Sequence, residues 1–218
     1  MIRKMELEQL SPMEIEQRSF AIIEEELTAQ GICLCPEQAP IIKRCIHTTA
    51  DFEYAFNLCF SPDALEKAHA AICKGASLVT DTTMALSGIN KRALAQFGIQ
   101  TYNFIADPDI IEKSRETGIT RSALCMDKAA QLDTPMIYVI GNAPTALIRI
   151  YELYREQKIK PALVIGVPVG FVNVVQSKEL IMQADAPYIV ARGRKGGSNV
   201  AACICNALLY MIDNNRGY

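Results

Sequence analysis

From Ser77 onward the chain alternates short β-type runs with helical stretches over short loops, and this alternation constrains the fold more than any other feature of its 218 residues. The runs are Ser77 to Thr80, Thr101 to Ile105, Met136 to Ile140, Ala162 to Ile165 and Tyr188 to Val190. Helical patterns fall near Asp109 to Gln131, Pro144 to Glu156 and Val174 to Gln183, with a last helix from about Ser198 to Asp213. Parallel neighbours need a crossover of about a dozen residues or more, usually a helix, so strands that alternate with helices pair in parallel and are covered on both faces. The pattern predicts an α/β fold of the doubly wound kind. It has about five mainly parallel strands in a single domain over residues 1–218, preceded by an N-terminal helical segment.

In that leading segment, Ser11-Pro12-Met13-Glu14 combines a capping-box spacing with proline at the first helical position, so a helix should start there and run toward Gly31. Ile15, Ser19, Ile22 and Ile23 share one stripe along it, which places a hydroxyl on the face to be covered; a bond back to its own helix would satisfy it. Ile41, Ile42, Cys45 and Ile46 recur at helical spacing and favour a second helix over a strand. As a helix it makes Arg44 and His47 i,i+3 neighbours on one face; as a strand it would point them to opposite sides. A third helix should follow Ser61-Pro62-Asp63 and end at Gly75.

Half of the residues are apolar and about a fifth charged, a globular composition, and the net charge of −2 supplies no global field for nucleic acid or a membrane surface. Val200 to Ile212 is the most apolar stretch near the C-terminus, but Asn206 interrupts it and it falls short of the roughly 18 residues that span a bilayer. The start, MIRKMELEQL, has no apolar secretory core, so a cytoplasmic location is expected. The eight cysteines then read as free thiols, and the pairs Cys33/Cys35 and Cys203/Cys205 are not preset to share a metal, since neighbours two apart diverge on a strand or a helix. An acidic ligand would have to be met by a local cluster of bases.

In open sheets of this type ligands sit beyond the carboxyl ends of the strands. The five runs lead into Asp81-Thr82-Thr83, Asp107-Pro108, Gly141-Asn142-Ala143-Pro144, Gly166-Val167-Pro168-Val169-Gly170 and Arg192-Gly193-Arg194-Lys195-Gly196-Gly197-Ser198. Nearly every one offers glycine, a small polar group or a base, which lets backbone N–H groups approach anionic oxygens. Neither Gly-x-x-x-x-Gly-Lys-Ser/Thr nor Gly-x-Gly-x-x-Gly at the first strand occurs. A glycine-rich strand-to-helix turn alone can be tight packing; Arg192, Arg194 and Lys195 together point to an anion site. Asn142 before Ala143-Pro144 can be read simply as a helix N-cap. The final helix is apolar almost all round, so it is either internal or pressed against a second subunit.

Only two histidines occur. His69 sits among lysines and alanines in a helix, whereas His47 has Arg44 before it and Thr48, Thr49 and Asp51 after it. No nucleophile motif accompanies either, which argues against hydrolase chemistry. A phospho-acceptor receiver with Asp81 or Asp107 as acceptor would share the fold but would be shorter and would not need the basic final loop; the lack of tryptophan makes a flavin protein less attractive.

Six segments in order carry a resemblance. Arg44-Cys45-Ile46-His47-Thr48-Thr49-Ala50-Asp51-Phe52, Asp81-Thr82-Thr83-Met84 with Ser87-Gly88-Ile89, Thr120-Arg121-Ser122-Ala123, Gly141 to Leu147, Gly166 to Val172 and Arg192 to Ser198 resemble successive signatures of the precorrin-8X methylmutases. Each is weak alone, and the ordered set, covering nearly the whole chain from about Ser11, is specific.

The resemblance implies a flavodoxin-like homodimer and an isomerase of cobalamin biosynthesis. It would move a methyl group from C11 to C12 of precorrin-8X or cobalt-precorrin-8, giving hydrogenobyrinate or cobyrinate. It implies that His47 is the essential proton donor and acceptor and that Ser19, Arg44 and Arg121 contact the substrate. Thr48, Asp81, Asn142, Thr145 and Arg194 are carried as further substrate-binding candidates. No cofactor or protein-bound metal is expected, because a methyl shift on a conjugated ring needs a placed proton rather than a nucleophile or redox group, and imidazole titrates near neutral pH. The acidic macrocycle would meet Arg44, Arg121, Arg194 and the N–H groups at strand ends.

Overall fold

The computed structural model describes residues 9–213; residues 1–8, on which the reading of the N-terminus mostly rests, and 214–218 lie outside it. The N-terminal segment is helical as expected. Helix α1 (Pro12–Ala29) starts with the capping box between Ser11 and Glu14, and α2 (Ala39–Thr49) ends at Ala50 in the left-handed region. The short α3 (Tyr54–Asn57), β1 (Leu58–Phe60) and α4 (Ala64–Cys73) follow.

Five strands fall where the alternation put them: β2 (Ser77–Thr80), β3 (Thr101–Tyr102), β4 (Met136–Ile140), β5 (Leu163–Gly166) and β6 (Tyr188–Ala191). Helices α5 (Thr83–Gly88) and α6 (Lys91–Gln96) join β2 to β3, while α7 (Pro108–Thr117) and α8 (Arg121–Ala129) lead to β4. Then come α9 (Pro144–Arg155), α10 (Val174–Gln183) and α11 (Ser198–Asp213).

The sheet has six strands in the order β1-β6-β5-β4-β2-β3, parallel throughout except for β1 against β6. The expected count of about five is therefore corrected: three-residue β1 is too short to show a period in sequence. Strand β3 is shorter than the expected Thr101 to Ile105, because the Asn103 side chain donates to the Thr80 carbonyl at 3.0 Å and the chain leaves the ladder there. The single helical stretch expected from Asp109 to Gln131 is two helices. Gly118, at φ 71°, ends the first, and Thr120 caps the second by accepting from the Ala123 N–H.

Alternate residues of each strand point to opposite faces, and the two cores follow that rule. Leu78, Ile137, Val139, Leu163, Ile165 and Ile189 face the helices of the N-terminal segment, α4 to α6 and α11. Val79, Met136, Tyr138, Ile140, Val164 and Val190 face α7 to α10. Both faces are covered, as buried parallel sheets require.

Helix α11 accounts for its own composition. It packs on α2, α4, α5 and α6 as well as on β4 and β5, so its apolar surface is enclosed within one chain. Of the two alternatives for this helix the internal one holds, and a second subunit is not needed to cover it. The opposite correction applies to α1, where Ile23 and Leu27 are buried but Met13, Ile15 and Ile22 stay exposed.

Asn206, the one polar interruption of α11, bridges the α5–α6 corner: its Oδ1 accepts the Asn90 N–H at 2.8 Å and its Nδ2 donates to the Gly88 carbonyl at 2.9 Å. Replacing it with leucine leaves the partly buried Asn90 N–H unpaired, at roughly 1–3 kcal/mol, while the exposed Gly88 carbonyl can turn to water. Asn206→Leu should lower stability by about 1–3 kcal/mol in urea unfolding, and an unchanged midpoint would show that water replaces both bonds.

Candidate functional site

The sheet reverses direction of growth at β2, whose neighbours are β3 on one side and β4 on the other, and in sheets of this kind ligands bind beyond the carboxyl ends of the strands at such a point. Asp81 follows β2 at this point and is 1% exposed. Its carboxylate accepts from the N–H groups of Gly141 (2.9 Å), Asn142 (2.8 Å) and Ala143 (2.7 Å). Burial pushes its pKa up from the usual carboxylate range, and the three amide donors oppose that shift. Asp81 is therefore closed to substrate, a correction to its place among the binding candidates. It also supplies from outside the cap that Asn142 was expected to give: the N-cap of α9 is Ala143, and Asn142 offers only its backbone N–H.

Freed from capping, the Asn142 side chain is exposed. Thr145, the second residue of α9, accepts from the Thr120 hydroxyl at 2.9 Å, so the start of α8 is tied to the start of α9. Arg121 is the first residue of α8 and is exposed, with one long bond of 3.4 Å to the Ile105 carbonyl.

The last loop is set by close packing. Gly197 donates to the Val167 carbonyl at 2.8 Å, and a Cβ on Gly196 would lie 2.1 Å from that same oxygen, so only glycine fits. Of the three bases there, Arg192 pairs with Glu179 (3.1 Å) and Lys195 with Asp51 (2.6 Å) and Glu53 (2.9 Å). Arg194 has no carboxylate partner among the described residues; its guanidinium lies over the Phe171 ring, 5.4 Å from the centroid. Phe171 and Val172 beside it are 80% and 79% exposed.

His47 occupies the last turn of α2, so the helical alternative for Ile41 to Ile46 holds and Arg44 lies one turn before it. The imidazole is exposed, with its ring 5.2 Å from that of Phe20. Arg44 sits over two aromatic rings, 5.3 Å from Phe20 and 5.1 Å from Tyr210, and pairs with Glu16 at 3.1 Å. Ser19 spends its proton on the Ile15 carbonyl at 2.8 Å, the back-bond foreseen for it, so in this rotamer it can only accept. Thr48, an exposed residue like His47, donates to Cys203 Sγ of α11 at 3.1 Å.

The candidates thus form two groups. Arg121, Asn142, Thr145 and Arg194 lie at the strand ends, while Ser19, Arg44, His47 and Thr48 lie on the α1–α2 layer. Lys195 joins them by reaching Asp51, just past the end of α2. Thr82 and Ser198 make a second tie at 2.8 Å, from the end of β2 to the first residue of α11. A recess of about 660 Å³ opens on the other edge of the sheet, lined by Pro135, Met136, Ala162 and Pro187, and holds none of the candidates.

Sequence reasoning missed Lys178. It is fully buried on α10 and donates to the carbonyls of Gly193 and Lys195, each at 2.8 Å. Burial lowers its pKa to about 8. The signal was present: Val174, Lys178 and Ile181 share one stripe at i, i+4 and i+7, so a lysine falls on a buried face.

The chain is similar to known proteins along most of its length. The family model for precorrin-8X methylmutase matches residues 14–211. A cobalt-precorrin-8 methylmutase from Salmonella typhimurium is 47% identical, over 92% of this chain and 96% of the relative. One from Leptospira interrogans is 42% identical, over 93% and 94%. The crystal structure of a precorrin-8x methyl mutase from Thermus thermophilus superposes with a TM-score of 0.82 at 36% identity, covering 92% of this chain and 98% of that one.

Asp81→Asn tests the assignment of Asp81 to structure. The amide would aim an N–H₂ at a backbone donor and leave at least one buried N–H unpaired, which costs about 2–4 kcal/mol. The melting temperature should fall by roughly 5–10 °C. A stable variant that binds macrocycle poorly would instead return Asp81 to the binding set.

Proposed function

The chain belongs to the precorrin-8X methylmutase family, and we propose that His47 is the proton donor and acceptor of its reaction. The enzyme is an intramolecular methyl transferase of cobalamin biosynthesis that moves a methyl group from C11 to C12 of precorrin-8X or cobalt-precorrin-8. One observation carries the role of His47: it is exposed at the end of α2, and the Asp51–Lys195 bridge ties that end to the loop that carries Arg194.

In this reading the His47 imidazolium gives a proton to the conjugated ring. The ring becomes electron-poor, the C11–methyl bond breaks as the C12–methyl bond forms, and loss of a proton to the same imidazole restores neutrality. Atoms and electrons balance with no oxidant and no external nucleophile. Substrate and product differ only in one methyl position, so a single site holds both.

The substrate's carboxylates are assigned to Arg121 and Arg194, which are exposed and carry fixed charge at neutral pH. Asn142 and Thr145 line the same edge. The exposed rings and side chains of Phe171, Val172 and Met84 give a flat macrocycle an apolar surface among these bases. Arg44 is assigned to the His47 side of the ligand, where it shares Phe20 with the imidazole; Ser19 and Thr48 sit beside it as acceptor and support.

The fold is read as flavodoxin-like. In chain order the five parallel strands lie 2-1-3-4-5 across the sheet, which is the order of that doubly wound class, with β1 added at one edge. One sheet with a core on each face supports a single domain over 1–218. No helix among the described residues is long and apolar enough to cross a membrane, which suits a cytoplasmic enzyme. A homodimer is also proposed, now supported by the exposed Met13, Ile15 and Ile22 of α1 rather than by α11. Light scattering at micromolar concentration should give twice the chain mass, and Ile15→Lys should lower it; a monomer mass for the parent protein would remove the dimer.

His47→Ala should bind the corrinoid product with near-parent affinity and lose about 10²- to 10⁴-fold in turnover, the usual contribution of a general acid. His69→Ala should remain active, since that ring lies on α4 beside Cys73. Conversion of precorrin-8X by His47→Ala at close to the parent rate would place the acid elsewhere.

A further inference from the structure

A buried ammonium without a counter-ion is costly, and a methionine of similar length would fill the space without that cost. Lys178 has no ion-pair partner among the described residues, and the carboxylates paired with the loop's bases are committed, Glu179 to Arg192 and Asp51 and Glu53 to Lys195. What it holds is backbone. Gly193 and Lys195 turn their carbonyls onto its Nζ, and between them the Arg194 carbonyl accepts the Gly170 N–H at 3.2 Å.

The Gly193 and Lys195 carbonyls are thus held on one buried ammonium, and the Arg194 carbonyl on the neighbouring loop. In a trans peptide the N–H points opposite to the preceding C=O, so the N–H groups of Arg194 and Gly196 point away from Lys178. Neither has an acceptor among the described residues. Gly193 at φ 85° and Gly196 at φ 153° allow the turn. Free N–H groups in such a turn form a concave site for an anionic oxygen.

We propose that Lys178 is a positioning residue for anion recognition: it holds the Gly193 and Lys195 carbonyls, so that the Arg194 and Gly196 N–H groups and the Arg194 guanidinium meet one carboxylate of the substrate together. This rests on the reading that the Arg194 loop binds the substrate's carboxylates. Lys178 touches no substrate itself; its charge, uncompensated beneath the loop, adds to the positive potential there.

The test is a double-mutant cycle read by absorbance titration with hydrogenobyrinate, the reaction product, on the full chain. Lys178→Met and Arg194→Ala should each weaken binding about tenfold or more. The pair together should be within about threefold of the worse single variant, because both act through one loop. The single-turnover rate at saturating substrate should stay within about threefold for Lys178→Met, a loss in affinity rather than chemistry. Lys178→Gln, which keeps donors for the carbonyls and loses the charge, should fall between parent and Lys178→Met, and it decides the question if the methionine variant does not fold. Parent-like affinity in Lys178→Met, or in Lys178→Gln where only that folds, with weakened binding in Arg194→Ala, overturns the positioning role, as do losses that simply multiply. Parent-like affinity in Arg194→Ala removes the loop as the carboxylate site, and the inference with it.

Discussion

Three backbone N–H groups converge on the Asp81 carboxylate at the point where the sheet changes its direction of growth, and much of the molecule takes its position from that contact. The carboxylate fixes the end of β2 against the start of α9. Gly141, held there, lies so close to α11 that a Cβ would come 2.7 Å from the Ser198 Cα. The start of α11 is thereby set, and Ser198 in turn meets Thr82 at the end of β2. Charge-assisted bonds to amides in a buried setting are among the stronger single polar contacts available, about 1.5–3 kcal/mol net each, which suits a residue on which so much registration depends.

From there the path to His47, the proposed acid, runs through α11. This helix passes between the sheet and the N-terminal helices, and Cys203 in its second turn accepts the Thr48 hydroxyl. Thr48 follows His47 directly, so the last turn of α2 is referenced to α11 and, through it, to Asp81. Cys45 lies buried beside Cys203, and its thiol is pushed up by that neighbour and by burial. The small polar groups under His47 are satisfied by one another, which leaves the imidazole itself on the surface.

Charge is distributed with the same economy. A chain of net charge −2 that binds an acidic macrocycle must keep some bases unpaired at the site while neutralising the others. Arg192 and Lys195 face carboxylates of the protein and serve as ties between elements, while Arg44 pairs with Glu16 one turn before His47, on the side of the ligand assigned to it. Arg121 and Arg194 are exposed at the strand ends. Beneath them Lys178 adds a charge that reaches the loop only through backbone carbonyls. On the proposed reading, a glycine-rich loop with no P-loop signature acquires anion-binding character from what lies under it.

By itself the sequence determined the alternation of strands and helices from Ser77, the capping box at Ser11, the helix carrying Arg44 and His47, and the glycine-bearing strand ends, because each is a local pattern of period, cap or turn. The resemblance of six ordered segments to one family was legible for the same reason. Tertiary structure alone decided that Asp81 is a cap rather than a ligand, that α11 is enclosed by its own chain, that β1 joins the sheet, and which bases are spent on internal pairs. These outcomes depend on partners far apart in sequence, 60 residues for Asp81 and Gly141 and 155 for Thr48 and Cys203. A side chain's chemical type is written locally, but whether its hydrogen-bonding capacity remains for a ligand depends on what the fold brings against it.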